Sequence, residues 1–299
     1  MNFYKDALEQ LPIKRKQLDF DDGIRDLEIK IAFAYQALGK NLEAIECYEA
    51  IIEKYFGFRF PVKKPAMVIK GILSMFSFMF MINNQSLFFK KEVDEHFHLY
   101  IGILKEWGEA MSTANPKRLT FILFRYLVYI SRYQLNKSIR GLTVFVECCS
   151  LFMWTGISFS VSQKMLDYAK QAHIDEHSES RISYRYSLKM HEFMTGKWEV
   201  DDDFNELFEQ SNKLGQFWPL TIYTLFSGME SIELGDMLNF ENSMEKMNEI
   251  YESFDNMHAR AQMLRTQTIG YFRSGNLIQP LILQMKELHI HEKQGIMQC

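Results

Sequence analysis

Residues 26–55, DLEIKIAFAYQALGKNLEAIECYEAIIEKY, carry the pattern that decides the fold. Ala44, Tyr48 and Ile51 follow Gly39 at helical steps and share one face of a helix. Tyr35 lies one turn before Gly39, so the glycine is placed to end the preceding helix, where a left-handed C′ residue suffers no Cβ clash. The small Ala44 lets the two helices approach closely. The segment therefore predicts an αα-hairpin.

Working outward, glycines recur at the ends of apolar-periodic segments. Gly156, Gly196, Gly235 and Gly275 stand 40, 39 and 40 residues apart, and Gly39 precedes Gly156 by 117 residues, three times 39. A period near 40 residues is the signature of a repeat architecture. Near the C-terminus Phe240, Met244, Met247, Tyr251 and Phe254 form a second helical stripe, partnered by Met257, Ala261, Leu264, Thr268 and Tyr271. Asn115 before Pro116 marks a capped helix start, and Pro219 and Pro280 suit first turns. Where the glycine period lapses, turns are placed at Asn83-Asn84 and Asn115-Pro116.

The helices read from these patterns span 2–10, 22–38, 42–56, 65–82, 87–112, 117–135, 139–155, 158–174, 179–195, 202–214, 218–234, 239–254, 257–274 and 278–289. The expected fold is all-α, an α-solenoid of stacked antiparallel hairpins running through residues 1–299 as a single array. No Gly/Ser-rich linker divides it. The six prolines and 15 glycines are too few for the many turns of an all-β chain, while a 47% hydrophobic share supplies a core.

A net charge of −4 gives no global positive field, so nucleic acid is excluded as the expected partner. Cys47, Cys148, Cys149 and Cys299 show no C-x-x-C spacing, which fits a reducing compartment. Asp6 interrupts the position where a secretory signal would begin its apolar run, and the expected localisation is cytoplasmic. Two stretches resemble bilayer spans in composition: Pro65 to Ile82, with Lys70 as its one charge, and Gly141 to Val161. Both are read as helices buried on all sides within a helical array, and membrane contact is not expected.

The segment AFAYQALGKNLEAIECYEAIIEKYFG (32–57) resembles a tetratricopeptide repeat through Tyr35, Gly39, Ala44 and Tyr48. Phe56 replaces the family's terminal proline and Glu28 its early tryptophan. Followed by Gly57, Pro61, a long apolar helix and degenerate repeats, it is similar to the helical region of large multidomain signalling ATPases, in which such a region can be joined to kinase or cyclase domains. The resemblance implies a regulatory or sensor array associated with a nucleotide-hydrolysing module.

No phosphate loop accompanies it. Gly39-Lys40 and Gly196-Lys197 are preceded at the required first position by Ala34 and His191, and neither is followed by Ser or Thr. His173-Ile174-Asp175-Glu176-His177 matches H-x-x-E-H, in which two histidines one helical turn apart share zinc and the glutamate serves as base. It stands just before Ser178, Glu179 and Ser180, so an exposed helix end is the reading adopted. Glu95-His96-Phe97-His98 and His289-Ile290-His291 point paired histidines to different helix faces. Asp201-Asp202-Asp203 begins like a calcium loop, but Glu206 and Asn212 occupy positions that require Gly and Glu. Cys148 lies in an apolar pattern expected of an inert, buried thiol.

No catalytic, cofactor-binding or metal-binding residue is therefore assigned, and no cofactor. The expected function is a non-catalytic protein-interaction scaffold with a protein or peptide partner. The alternative is a regulatory or sensor segment of an ATPase-, kinase- or cyclase-linked signalling protein.

Overall fold

The computed structural model describes residues 17–37, 40–61, 64–199, 203–254 and 257–275. Among these the protein is all-α, with no strand and one isolated bridge between Lys91 and Tyr133. The helices predicted at 2–10 and 278–289, and with them Gly39 and Pro280, lie outside the described residues. The chain groups into two compact units, Met1–Cys148 and Cys149–Cys299.

In the first unit, α1 (Gln17–Ala37) and α2 (Asn41–Phe56) pack as the expected hairpin. The predicted face is the buried one: Ala44, Tyr48 and Ile51 are covered, with Ile45 and Ile52 beside them. Tyr48 Oη donates to Gln36 Oε1 across the pair at 2.8 Å. Next come α3 (Lys64–Asn83), the short α4 (Gln85–Phe88), α5 (Glu95–Ala114), α6 (Pro116–Ile130) and α7 (Ile139–Glu147). Glu49 joins three of these helices, accepting from Trp107 Nε1 at 3.2 Å and from Arg118 Nη2 at 2.7 Å. Trp107 and Tyr126, both fully buried, meet edge-on at 5.4 Å, and Phe58 stacks on Tyr126 at 4.7 Å. The Asn115 cap forms as read, its side chain accepting from Arg118 N with Pro116 at the first helical position.

Two predicted boundaries are corrected here. The helix expected over 87–112 is broken, because Asp94 adopts an extended conformation and its carboxylate caps α5 at Phe97 N, 2.7 Å away. The helix expected over 117–135 stops at Ile130 for a related reason: the amides of Lys90 and Lys91 bond the carbonyl of Arg132, and Gln134 N bonds the carbonyl of Lys91. These pairings between segments about 40 residues apart replace local helical bonds, and no window of sequence periodicity contains them.

The second unit contains α8 (Cys149–Thr155), α9 (Phe159–Gln171), α10 (Ser178–Thr195), α11 (Phe204–Lys213), α12 (Phe217–Leu234), α13 (Met237–Phe254) and α14 (Met257–Arg273). The helix predicted over 139–155 is thus two, interrupted at Cys148. Between α12 and α13 the chain turns at Gly235, with φ of 73°. The amides of Gly235 and Asp236 reach back to the carbonyls of Ile232 and Ser231, which closes the helix end as a left-handed cap. Gly156, Gly196 and Gly275 also have positive φ.

Helix α12 is the centre of this unit and packs against α10, α13 and α14. Leu220 and Tyr223 join Ile182 and Tyr186 of α10 and Leu207 and Phe208 of α11 in one cluster. Phe240, Met244 and Met247 of the predicted α13 stripe are buried against Leu225, whereas Phe254 at its end is 47% exposed. Gly270 permits α14 to approach α13, since a Cβ there would stand 2.7 Å from the Phe240 ring.

Candidate functional site

The charged residues predicted as a possible zinc pair are not gathered into a site. Helix α9 ends at Gln171 and His173 has φ of 57°, so His173 and His177 do not lie on one helical turn. His173 Nδ1 instead meets Glu176 Oε1 at 2.8 Å, both side chains about 70% exposed. Among the described residues no group of three potential ligands is assembled to hold a metal. Asp203 is held by Arg181 and Arg185 at 2.9 and 2.5 Å, which anchors the start of α11 to α10. Cys148 is a buried free thiol, and its burial pushes its pKa well up, followed in effect by the nearby Glu147 carboxylate. An inert thiol is what this environment produces.

The structure instead brings together a constellation in the second unit that the sequence patterns did not single out. Lys189 of α10 and Glu230 of α12 pair at 2.5 Å between Nζ and Oε2, with side chains 3% and 2% exposed. The ammonium also donates to the carbonyl of Glu199 in the segment after α10. Burying either charge alone is costly, so each holds the other in place.

Above this pair lies a cavity of about 200 Å³. Its walls are mainly hydroxyls and amides: Ser227 and Ser231 from α12, Asn239, Asn242 and Ser243 from α13, and Asn205 from α11, with the exposed Glu199 also lining it. The Phe204 ring adds an apolar patch. Asp236 caps α13 by accepting from Asn239 N at 3.1 Å, and it also accepts from the Asn239 side-chain amide at 2.6 Å, fixing that residue at the rim. With one ammonium and one carboxylate cancelling at its floor, the pocket offers hydrogen-bond donors and acceptors with no net charge from the pair. Glu199 adds a carboxylate to the lining, so the surface disfavours an anion and suits an uncharged polar group.

The pair left one trace in the sequence. From Leu214 to Met229 there is no charged residue, and Glu230 then falls within a helix that is apolar nearly all round. A carboxylate in such a helix needs a buried partner. Which lysine supplies it depends on the packing of α10 on α12.

The first unit presents a different surface. Helix α3 packs one side on α6, where Gly71 sits so close that a Cβ would be 2.9 Å from Phe121 Cβ, and Phe78 and Ile82 are buried. Its other side is uncovered: Ile69, Ile72, Leu73, Phe76 and Phe80, at i, i+3, i+4, i+7 and i+11, are 42–64% exposed. The expectation that this helix is buried on all sides is therefore wrong: among the described residues its neighbours, chiefly α6, leave that side exposed. The Gly141 to Val161 stretch comes closer to its expectation, with Gly141 to Val146 buried and Trp154 exposed.

Comparison with known protein families, curated proteins and solved structures finds no match to this chain.

Proposed function

We propose that this protein is a non-catalytic binding module built from helical hairpins, and that its second unit seats an uncharged polar segment of a partner protein. The hairpins are α9–α10, α11–α12 and α13–α14, each closed after its second helix by one of Gly196, Gly235 and Gly275 at a spacing of about 40 residues, within the range of helical-repeat units. The observation that carries the reading is the amide- and hydroxyl-lined cavity above the Lys189–Glu230 pair. Asn205, Asn239 and Asn242 each offer both a donor and an acceptor, the complement of a peptide group or a side-chain amide. A pair of charges sealed beneath them supplies a rigid floor.

Selection of displayed random peptides on the purified chain tests this. Peptides rich in Asn, Gln, Ser and Thr are expected to be enriched. Their affinity should fall about tenfold in an Asn239→Leu/Asn242→Leu variant, the effect of two lost hydrogen bonds. It should be unchanged in Leu238→Ala, whose side chain is 78% exposed. Enrichment of no peptide, or equal binding to both variants, overturns the reading.

A further inference from the structure

The exposed side of α3 is an apolar stripe running most of a 20-residue helix, about 30 Å long at 1.5 Å per residue. Scattered exposed apolar residues are ordinary, but a contiguous stripe marks a surface that meets something. By length and composition Pro65–Asn83 passes for a membrane span, with a mean hydropathy of 1.8. Its packing argues against spanning. Phe78 and Ile82 are sealed, and Gly71 is locked against Phe121, so one side of the helix belongs to the first unit's own core.

The charge around the stripe points to what covers it. In a chain of net charge −4, no Asp or Glu occurs from Lys54 to Lys91. Helix α6, which packs along α3, lies in a second acid-free stretch that runs from Ala110 to Val146. Basic residues fall within both: Lys63, Lys64, Lys70, Lys90 and Lys91 around α3, and Lys117, Arg118 and Arg125 on α6. Arg118 is committed to Glu49, but Lys70 and Lys90 are exposed. Acidic side chains resume only at Glu92, past α4. An apolar helix face rimmed by lysines and free of carboxylates is complementary to the boundary between acyl chains and anionic headgroups.

We propose that α3 docks this protein onto the surface of an anionic bilayer, lying in the plane of the interface with Ile69, Ile72, Leu73, Phe76 and Phe80 inserted among the acyl chains and Lys70 and Lys90 against the headgroups. One amphipathic face gives reversible attachment, weaker than that of a spanning helix and dependent on lipid charge. This inference is independent of the cavity in the second unit.

Co-sedimentation of the full chain with vesicles of phosphatidylcholine, with and without phosphatidylserine, tests it. The protein should pellet with phosphatidylserine vesicles, much less with phosphatidylcholine alone, and should be released as salt rises. Leu73→Asp/Phe76→Asp should abolish pelleting while circular dichroism and thermal unfolding stay as in the parent, since both side chains are 60–64% exposed. Lys70→Glu should lower the partition about fivefold. A Phe76→Trp variant should show a blue-shifted emission on addition of phosphatidylserine vesicles. Failure of the parent chain to pellet with either vesicle, or pelleting indifferent to Leu73→Asp/Phe76→Asp, overturns the proposal. So does a dimer in sedimentation velocity that the same variant dissociates without any vesicle binding, because a second copy would then be the occupant.

Discussion

Lys189 and Glu230, on helices α10 and α12, meet at 2.5 Å with almost no access to solvent, and their contact joins the two helices at the floor of a polar cavity. Breaking such a pair from one side leaves an uncompensated buried charge, at a cost of roughly 3–5 kcal/mol, whereas replacing both members by apolar residues of similar volume is close to neutral. Lys189→Met is therefore expected to lower the urea midpoint strongly. Lys189→Met/Glu230→Leu should recover most of the loss. A double variant no more stable than the single one would show that the pair's environment cannot close over apolar side chains.

Glu109 in the first unit governs a pH dependence. Its burial, together with the neighbouring Glu106 carboxylate, pushes its pKa up to about 7, against the pull of Lys105. In the unfolded chain a glutamate titrates near 4.3. The folded state thus holds a proton that the unfolded state has lost, so this group's contribution favours folding at low pH and falls away as pH rises from about 4 through 7. Glu109→Gln should raise stability at pH 8 by on the order of 1–2 kcal/mol and flatten the decline across that window. Chemical denaturation of both proteins at pH 5, 6.5 and 8 checks the sign.

Two glycines of the second unit should respond to substitution for different reasons. Gly235 has open space around its missing Cβ but φ of 73°, so Gly235→Val is expected to cost about 1–3 kcal/mol through backbone strain alone. Gly270 lies inside α14, where alanine is intrinsically preferred by up to about 1 kcal/mol. Gly270→Ala should nevertheless destabilise, because the new methyl would stand 2.7 Å from the buried Phe240 ring. A Gly270→Ala/Phe240→Leu variant more stable than Phe240→Leu alone would confirm that the ring contact decides the outcome.

The two sides of α3 should separate cleanly under the same substitution. Phe78 is fully buried, and Phe78→Asp is expected to unfold or aggregate the protein, since an unpaired carboxylate cannot be accommodated there. Phe76, two residues earlier and 60% exposed, should accept Asp with a change within about 0.5 kcal/mol. Thermal unfolding of the two variants measures the contrast.

Helix identity was legible from the sequence because it follows from local periods. The Ala44/Tyr48/Ile51 face, the Phe240/Met244/Met247 stripe, the Asn115 cap and the glycine at 235 each depend on residues within a turn or two of one another. The break before α5 and the end of α6 did not follow, because they are set by backbone bonds between residues 90–91 and 132–134. The same limit applies to function. Composition announces that α3 is apolar but not how many neighbours cover it, and only packing decided that Gly71 faces α6 and Phe78 meets Phe145 of α7 while Phe76 faces outward. Nor does helical spacing reveal that Lys189 and Glu230, 41 residues apart, are partners, since α10 also carries Arg181 and Arg185 and α12 also carries Glu233, and no local pattern chooses among them. Local chemistry determined where this chain is helical. Which side chains meet, and which remain uncovered, depended on the assembly of helices distant in sequence.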